Sequence, residues 1–409
     1  MSGELHRLGN GIAVAVDPLP GAESTAIGLY AMVGSRSEPE HLSGLAHLVE
    51  HMVFKGAGTR DTRAFAEAIE NVGGSINAWT ARDQTVFYGR TLAKDAALLT
   101  ELIADLVRAP HISEEHLERE KDVILSELGE VVDSPDDLVH DHLFEAAFEG
   151  QPLGRSVLGR EETLRTATRD DCLNWIRDEL VPARLILAAS GKVDADQLLR
   201  LGERLFGDLE PWPGVPISQA EFTGGVRSDR RQFEQAHWCL GLPGMPAADP
   251  RVPALSIFVQ ALGGGMSSRL FQELREERGL AYSIGAWHQA FADSGIVAVS
   301  CAADRTRAVE SMSLARTVLA AAVDSLDEAE VARARAQLEA GLLMALETPH
   351  GRADHLARSI EVFGRIVGLD ELLGKLHAVD AAAARAAGAA LLDGRAAVAS
   401  VGAQLALAA

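Results

Sequence analysis

The sequence SGLAHLVEHMVFKG, residues Ser43 to Gly56, has the pattern of one short helix. Ser43 is predicted to cap the start of this helix, and Gly56 is predicted to stop it. The apolar residues recur at helical spacing and predict a stripe that packs into a core, formed by Leu45, Leu48, Val49, Met52 and Val53. The opposite side of the helix is then expected to face a cleft.

That opposite side carries His47 and His51, four residues apart. A helix projects both histidines from one face, within reach of a single metal ion. Glu50 lies beside them and could act as a general base. The pattern therefore predicts a catalytic zinc site. The alternative is a pair of ordinary histidines whose ring nitrogens are satisfied by hydrogen bonds.

A catalytic zinc ion needs a third protein ligand from another element. Residues Ser113 to about Val132 predict a helix that Ser113 can cap and whose apolar side holds Leu117, Ile124, Leu125 and Leu128. Glu120 and Glu127 are two helical turns apart and share a face. One could bind zinc while the other orients a ligand. Spacing leaves open which does which, and a solvated acidic face is the alternative.

Further motifs follow the histidine helix in order along most of the chain. They are GGSINAWTARDQTVFYG (Gly73–Gly89), QPLGRSVLG (Gln151–Gly159) and GGGMSSRLFQELREERGLAYS (Gly263–Ser283). With these motifs the chain resembles the pitrilysin (insulinase-like) metallopeptidases, which share the inverted zinc motif H-x-x-E-H. The resemblance is nearest to mitochondrial processing peptidase and its bacterial relatives.

The resemblance implies roles for the acidic and histidine residues. His47, His51 and Glu127 would bind one zinc ion per chain. Glu50 would be the catalytic base that activates the attacking water, and Glu120 would orient a zinc ligand.

The resemblance also implies substrate contacts. Arg275 and Tyr282 match an arginine–tyrosine pair that relatives use near the substrate carbonyl. Asn77 and Ala78 are expected on an edge strand near the zinc, where an extended peptide could add a strand. The triple glycine Gly263, Gly264 and Gly265 is a further candidate for substrate contact, and a plain turn is its alternative.

The chain of 409 residues, 47% of them hydrophobic, is long enough for more than one core. The segment GDLEPWPGVP, at 207–216, is rich in proline and glycine and predicts a linker. We therefore expect an N-terminal zinc-binding domain at 1–207, a linker at 208–222, and a homologous C-terminal domain at 223–409. Residues 374–394 are rich in alanine and predict a helix.

Strand and helix patterns occur in parallel order in the two halves, which predicts an α+β fold of two duplicated domains. Each domain would be a mainly antiparallel sheet with helices packed on one face. The predicted strands are 12–17, 25–34, 85–92 and 185–191 in the first half and 237–244, 295–303 and 396–402 in the second. The predicted helices, besides those already given, lie near 62–71, 94–108, 251–262, 305–322 and 327–345.

The formal net charge of −21 argues against binding to nucleic acid or to anionic membranes. An acidic cavity would favour basic peptides, although solubility is the alternative role for the acidic residues after Glu127: Asp133, Asp136, Asp137, Asp141 and Glu145.

Three scattered cysteines, Cys172, Cys239 and Cys301, predict reduced buried thiols. The N-terminal sequence lacks a leader pattern, and no window reaches transmembrane length. Together these features favour a cytoplasmic protein.

The family resemblance also implies an activity and an assembly. The expected protein is a zinc-dependent endopeptidase that hydrolyses unfolded or extended peptides within a closed chamber. Because one chain carries both half-sites, we expect a homodimer in which Arg275 and Tyr282 of one subunit complete the zinc site of the other. The alternative is a non-catalytic or partner-dependent subunit of a processing-peptidase-like complex.

Overall fold

The structure, a computed structural model, describes residues 3–392 and 394–406. The chain divides into two compact units, each assembled from three segments. Unit 1 comprises Met1–Leu128, Ser156–Ser218 and Leu343–Leu369. Unit 2 comprises Gly129–Arg155, Gln219–Leu342 and Asp370–Ala409.

This division differs from the boundaries 1–207, 208–222 and 223–409 predicted from the sequence. Residues 129–155 belong to unit 2, and residues 343–369 belong to unit 1. Each unit therefore contains a segment from the half of the chain that forms the body of the other unit.

Unit 1 is built on a mixed sheet. Its strands are β1 (Glu4–Arg7), β2 (Ala13–Pro18), β3 (Ser24–Ala31), β6 (Ser75–Thr80), β7 (Thr85–Leu92) and β8 (Leu185–Gly191), and β4 (Gly56–Ala57) pairs with β5 (Arg60–Asp61) in a separate ribbon. Its helices are α1 (Leu45–Val53), α2 (Thr62–Glu70), α3 (Ala96–Arg108), α4 (Glu114–Asp133), α6 (Glu161–Thr166), α7 (Arg169–Glu179), α8 (Ala195–Phe206) and α12 (Pro349–Phe363). The end of α4, from Gly129 onward, belongs to unit 2. The sheet order is β1-β2-β8-β3-β7-β6, and only β2 and β8 pair in parallel.

Unit 2 is built on a second sheet. Its strands are β9 (Gly225–Asp229), β10 (Gln235–Pro243), β11 (Ala281–Ala290), β12 (Gly295–Asp304) and β13 (Ala397–Val401). Its helices are α5 (Pro135–Ala147), α9 (Val252–Gly263), α10 (Ala308–Ser325), α11 (Glu328–Ala345), α13 (Leu369–His377) and α14 (Ala381–Leu392), and residues Phe271–Glu277 form a π-helix.

The two sheets repeat one topology. In unit 2 the order is β9-β13-β10-β12-β11, with β9 and β13 parallel and the other pairs antiparallel. The order β2-β8-β3-β7-β6 in unit 1 matches it strand for strand in order and direction. The predicted α+β fold of two duplicated, mainly antiparallel domains is confirmed.

Successive side chains along the strands point to opposite faces of each sheet, and both faces are buried. In unit 1, Val14 and Leu29 lie in the larger core with α1 and α3, whereas Ala15 and Tyr30 pack against α12 on the other face. In unit 2, α5 contributes the second-face cluster, which contains Cys239. A single helix thus covers the second face of each sheet, which the sequence did not predict.

Of the local predictions, some are confirmed and others are not. β7 lies at the predicted 85–92, and all three cysteines are buried and free. The alanine-rich segment 374–394 is not one helix, because α13 ends at His377 and α14 begins at Ala381. Asp393 lies outside the described residues. Among the described helices, none is both long enough and apolar enough to cross a membrane.

Candidate metal centre

Helix α1 is held by a buried carboxylate. The sequence prediction that Ser43 caps this helix is wrong, because Gly44 takes the cap position with φ of 95° and no side-chain cap bond. Glu38 instead accepts hydrogen bonds from the backbone amides of Gly44 and Ala46, each at 2.8 Å. A Cβ on Gly44 would lie 2.7 Å from the carbonyl oxygen of Leu158. Glycine is therefore required where the chain enters α1.

The predicted apolar stripe of α1 is buried, as expected, so the histidine face turns away from the core. The ligand atoms of His47, His51 and Glu127 lie within 4.8 Å of one another. Oε2 of Glu127 is 4.0 Å from Nε2 of His47 and 3.8 Å from Nε2 of His51. Atoms at these separations need only small movements to lie about 2.0–2.2 Å from one shared zinc ion.

Glu120 holds the His51 ring in a defined orientation. Nδ1 of His51 donates to Oε2 of Glu120 at 3.1 Å. The proton is thereby assigned to Nδ1, and the lone pair of Nε2 is left facing Glu127. Oε1 of Glu120 accepts a second contact, from Nζ of Lys55 at 2.8 Å. Both oxygens of this carboxylate are therefore engaged.

His47 has the electrostatic properties that a metal ligand needs. Burial, and secondarily the nearby His51, lower the pKa of His47 to about 4. The ring is therefore neutral at physiological pH, as metal binding requires. Its Nδ1 is buried and has no hydrogen-bond partner among the described residues. The donor set of two imidazoles and a carboxylate fits zinc.

Glu50 lies on the same face and is half-buried. Burial is the main cause that raises the pKa of its carboxyl group, against the lowering influence of the Thr80 hydroxyl and His51. Its Oε2 is buried without a hydrogen-bond partner in the described part of the chain. Such a carboxylate has a free lone pair and an increased proton affinity.

Strand β6 forms the edge of the unit 1 sheet and packs next to α1. It pairs with β7 on one side only, and Asn77 is exposed while Ala78 is buried. Oδ1 of Asn77 accepts from the backbone amide of Ala78 at 2.9 Å. The predicted edge strand is therefore present, and it lies in the same unit as the three metal donors.

The other predicted site residues lie in unit 2. Arg275 belongs to the π-helix, with its guanidinium carbon 4.8 Å from the Phe271 ring centre. Tyr282 is 72% exposed beside a register shift at the start of β11. Long π-helices are rare and often mark functional positions.

The triple glycine has a packing explanation within unit 2. A Cβ on Gly263 would lie 2.4 Å from the amide nitrogen of Ala286, and one on Gly264 would meet the Gln260 side chain at 2.3 Å. Gly265 has more room, since its nearest neighbour, Gln337, would lie 3.2 Å away. Close approach of α9 to β11 therefore accounts for at least the first of these glycines.

Two residues near the donors were not identified from the sequence. Lys55 contacts Glu120, and Thr80 faces Glu50. Lys55 follows His51 by four residues, but it lies beyond the end of α1, so helical periodicity does not place it on the histidine face.

Two family models match consecutive parts of the chain. The family model described as Insulinase (Peptidase family M16) matches residues 13–161. The model described as Peptidase M16 inactive domain matches residues 166–338. The first match contains His47, Glu50, His51 and Glu127.

Curated relatives span nearly the whole chain. An uncharacterized zinc protease of Rickettsia felis is 31% identical over 370 residues, covering 90% of both chains. One of Bacillus subtilis is 31% identical, covering 91% of both. One of Mycobacterium tuberculosis is 35% identical over 379 residues, covering 91% of this chain and 86% of the relative. The chain belongs to peptidase family M16.

Solved structures support the same fold. A structure titled as a peptidase M16 inactive domain from Pseudomonas fluorescens has a TM-score of 0.91 at 19% identity, covering 100% of both chains. A protease from Helicobacter pylori has a TM-score of 0.91 at 19% identity, covering 98% of this chain and 99% of the other. At this identity the likeness concerns the fold alone.

Proposed function

We propose that this protein is a zinc-dependent endopeptidase that hydrolyses unfolded or extended peptides. The observation that carries this proposal is the convergence of His47, His51 and Glu127 beside Glu50, whose Oε2 is buried without a hydrogen-bond partner among the described residues. The names of the relatives, which are zinc proteases, support the same chemistry.

In the proposed mechanism, His47 and His51 would hold zinc through Nε2, and Glu127 would hold it through a carboxylate oxygen. When bound, zinc would supply Lewis-acid activation of the attacking water and of the peptide carbonyl. Glu50 takes the proton of that water on its buried carboxylate and later delivers it to the leaving amine. Burial suits Glu50 to this task, because the same environment that raises its pKa makes it a stronger base.

Substrate binding is proposed to use β6. An extended peptide would pair with the free edge of this strand near Asn77 and Ala78, so that main-chain hydrogen bonds supply affinity. Folded proteins present few free strands of this kind, which restricts the substrates to unfolded or extended peptides. The net charge of −21 favours basic ones.

Assembly is a separate part of the proposal. Arg275 and Tyr282 would stabilise the oxyanion, in a homodimer in which each subunit completes the zinc site of the other within a closed chamber. Mixing an Arg275→Ala chain with a Glu50→Gln chain tests this. Recovered activity supports completion across subunits, and its absence contradicts it. We also propose a cytoplasmic location.

The deciding experiment compares the wild type with Glu50→Gln and Glu130→Gln. Glu130 is exposed on α4, one turn beyond Glu127, and serves as the matched control. Bound metal and cleavage of a quenched library of basic peptides are measured for each protein. We expect about one zinc per chain in all three, and kcat/KM at least about 100-fold lower in Glu50→Gln alone.

Zinc binding without cleavage by the wild type would favour the alternative of a non-catalytic or partner-dependent subunit. The description of the second family model as an inactive domain makes this alternative worth testing. Equal activity of Glu50→Gln and the wild type would overturn the proposed base.

A further inference from the structure

Lys55 contacts the candidate metal centre without being one of its donors. Its Nζ lies 2.8 Å from Oε1 of Glu120, whose other oxygen accepts the Nδ1 proton of His51. The Glu120 side chain is 10% exposed, and that of Lys55 is 28% exposed. The chain Lys55–Glu120–His51 thus runs from the partly exposed rim to a metal donor.

The backbone around Lys55 is well fixed, so the contact does not depend on a mobile loop. The Lys55 amide donates to the carbonyl of Met52 at 3.0 Å, and Gly56 follows with φ of 117°. The carbonyl of Gly56 accepts the His111 amide at 2.9 Å. A Cβ on Gly56 would lie 2.5 Å from Nδ1 of His111, so this turn requires glycine.

A carboxylate as buried as Glu120 is costly to keep charged without a cationic partner. Lys55 supplies that partner at Oε1 and leaves Oε2 for His51. Without it, Glu120 would turn toward water or toward another donor, and the His51 ring would lose the hydrogen bond that directs Nε2 at Glu127.

We propose that Lys55 is a positioning residue, which acts through Glu120 to hold His51 in the orientation needed for zinc. This inference rests on the proposed zinc function and names a residue that supports it. It makes no claim that Lys55 touches substrate or metal.

Electrostatic repulsion between Lys55 and zinc would change the zinc affinity in the opposite direction. An ammonium group near a dication repels it, so deletion of the Lys55 charge would tighten zinc binding if direct repulsion dominated. The geometry favours positioning, because the ammonium is already neutralised by Glu120 at 2.8 Å. The direction of the change in zinc affinity therefore separates the two effects.

The test measures the zinc dissociation constant of the full-length protein by competition with a chromogenic chelator. The variants are Lys55→Met, Lys55→Arg, Glu120→Gln and the double variant Lys55→Met/Glu120→Gln. Outer hydrogen-bond partners of metal ligands typically contribute about 10–100-fold to metal affinity. We expect Lys55→Met to bind zinc about 10-fold more weakly and Lys55→Arg to restore most of that loss.

The double variant should bind zinc no more weakly than Glu120→Gln alone, because Lys55 acts only through Glu120. Lys192→Met is the matched control, since Lys192 pairs with Glu23 at 2.9 Å on an exposed surface of the same unit. The thermal midpoint of each zinc-free protein is recorded, because a purely structural role would lower that midpoint and leave zinc affinity unchanged.

Each possible outcome supports or overturns the positioning role of Lys55. Unchanged or tighter zinc binding by Lys55→Met overturns the positioning role, as does additive loss in the double variant. Weaker binding by Lys55→Met supports the role even if the wild type cleaves no peptide, in which case the peptidase proposal alone fails. A wild type that binds no zinc overturns both.

Discussion

The helix pair α1–α4 of unit 1 and the pair α9–α11 of unit 2 occupy corresponding places in one topology, yet they meet through different chemistry. In unit 1, His51 bonds to Glu120, and Glu127 lies two turns further along the same face of α4, 3.8 Å from Nε2 of His51. In unit 2, Nε2 of Gln260 donates to Oε1 of Gln337 at 2.8 Å.

Neutral amides are not the donors that zinc selects, whereas imidazole and carboxylate are. Within the described residues, a cluster of three metal donors occurs at the first pair, and none occurs at the second. The same scaffold therefore supports a metal centre or a plain helix contact, depending on a few side chains. The fold alone therefore does not define the function.

The largest expected effect concerns the metal donors that distinguish the α1–α4 pair from the α9–α11 pair. Glu127→Gln removes one of three donors and should weaken zinc binding by more than about 100-fold, since even outer contacts contribute about 10–100-fold. Peptide cleavage should fall with it. Gln337→Glu, which places a carboxylate in the unit 2 pair, should add no second zinc, because its hydrogen-bond partner there is the amide of Gln260 and not an imidazole. Metal analysis and a zinc titration check both; two zinc ions bound by Gln337→Glu would contradict the comparison.

A second prediction concerns the cores beneath the two pairs. Leu48 of α1 and Leu255 of α9 are both fully buried. Each change to alanine should lower the free energy of unfolding of its unit by about 2–5 kcal/mol. Only Leu48→Ala should also weaken zinc binding, because α1 carries the histidines. Urea unfolding followed by circular dichroism, with the exposed Leu343→Ala as control, tests this; an equal zinc loss in Leu255→Ala would refute it.

A third prediction uses the hairpin turns that precede β7 and β12. In unit 1, burial, and then Glu361, raise the pKa of Asp83 to about 6, against Arg358 and Arg36. The folded state therefore binds a proton more tightly than the unfolded state, and this stabilisation is lost as pH rises through about 6. Asp83→Asn should stabilise the protein at pH 8 by roughly 1–3 kcal/mol, and this gain should shrink at pH 5.

The corresponding turn in unit 2 gives the opposite sign. Oδ2 of Asp293 accepts from the backbone amide of Ala220 at 2.9 Å. Asp293→Asn replaces a charged acceptor with a neutral one and should cost about 1 kcal/mol at pH 8. Denaturant midpoints at both pH values measure the two variants. A gain from Asp83→Asn that is equal at pH 5 and pH 8 would rule out the buried charge as its cause.

The smallest expected effect concerns helix caps. Oγ of Ser134 accepts from the Asp137 amide at the start of α5, and Oγ1 of Thr348 accepts from the Gly351 amide at the start of α12. Each change to alanine should cost about 1 kcal/mol. Ser134→Ala should destabilise unit 2 and Thr348→Ala should destabilise unit 1, opposite to their order in the chain. Hydrogen exchange resolved along the chain reads out which sheet loses protection.

Much of the fold could be predicted because its signals are local. The alternation in TVFYGRTL predicted β7, and the four-residue spacing of His47 and His51 predicted that both lie on one helix face. The duplication followed from the repeated order of such segments. The roles of Glu120 and Glu127 needed the family resemblance, because both lie on the same face of α4.

The features that the sequence did not predict depend on contacts between residues distant in the chain. Glu38 caps α1 from six positions before Gly44, and the backbone of Leu158 excludes a side chain at Gly44, so the local rule that favours Ser43 fails. The contact between Lys55 and Glu120 joins residues 65 positions apart. No periodic pattern records such pairs, nor the packing of α12 on the sheet of unit 1.

Helix α5, from the first half of the chain, belongs to unit 2, and α12, from the second half, belongs to unit 1. This arrangement has a consequence for synthesis on the ribosome. Chains emerge from the N-terminus, and domains generally fold as units once their residues are available. Unit 1, which holds the candidate metal centre, includes residues up to Leu369 of a 409-residue chain. Its sheet must therefore wait with one apolar face uncovered until α12 emerges, after most of unit 2 has been translated. The nascent chain is then a natural client for chaperones that shield exposed apolar surface.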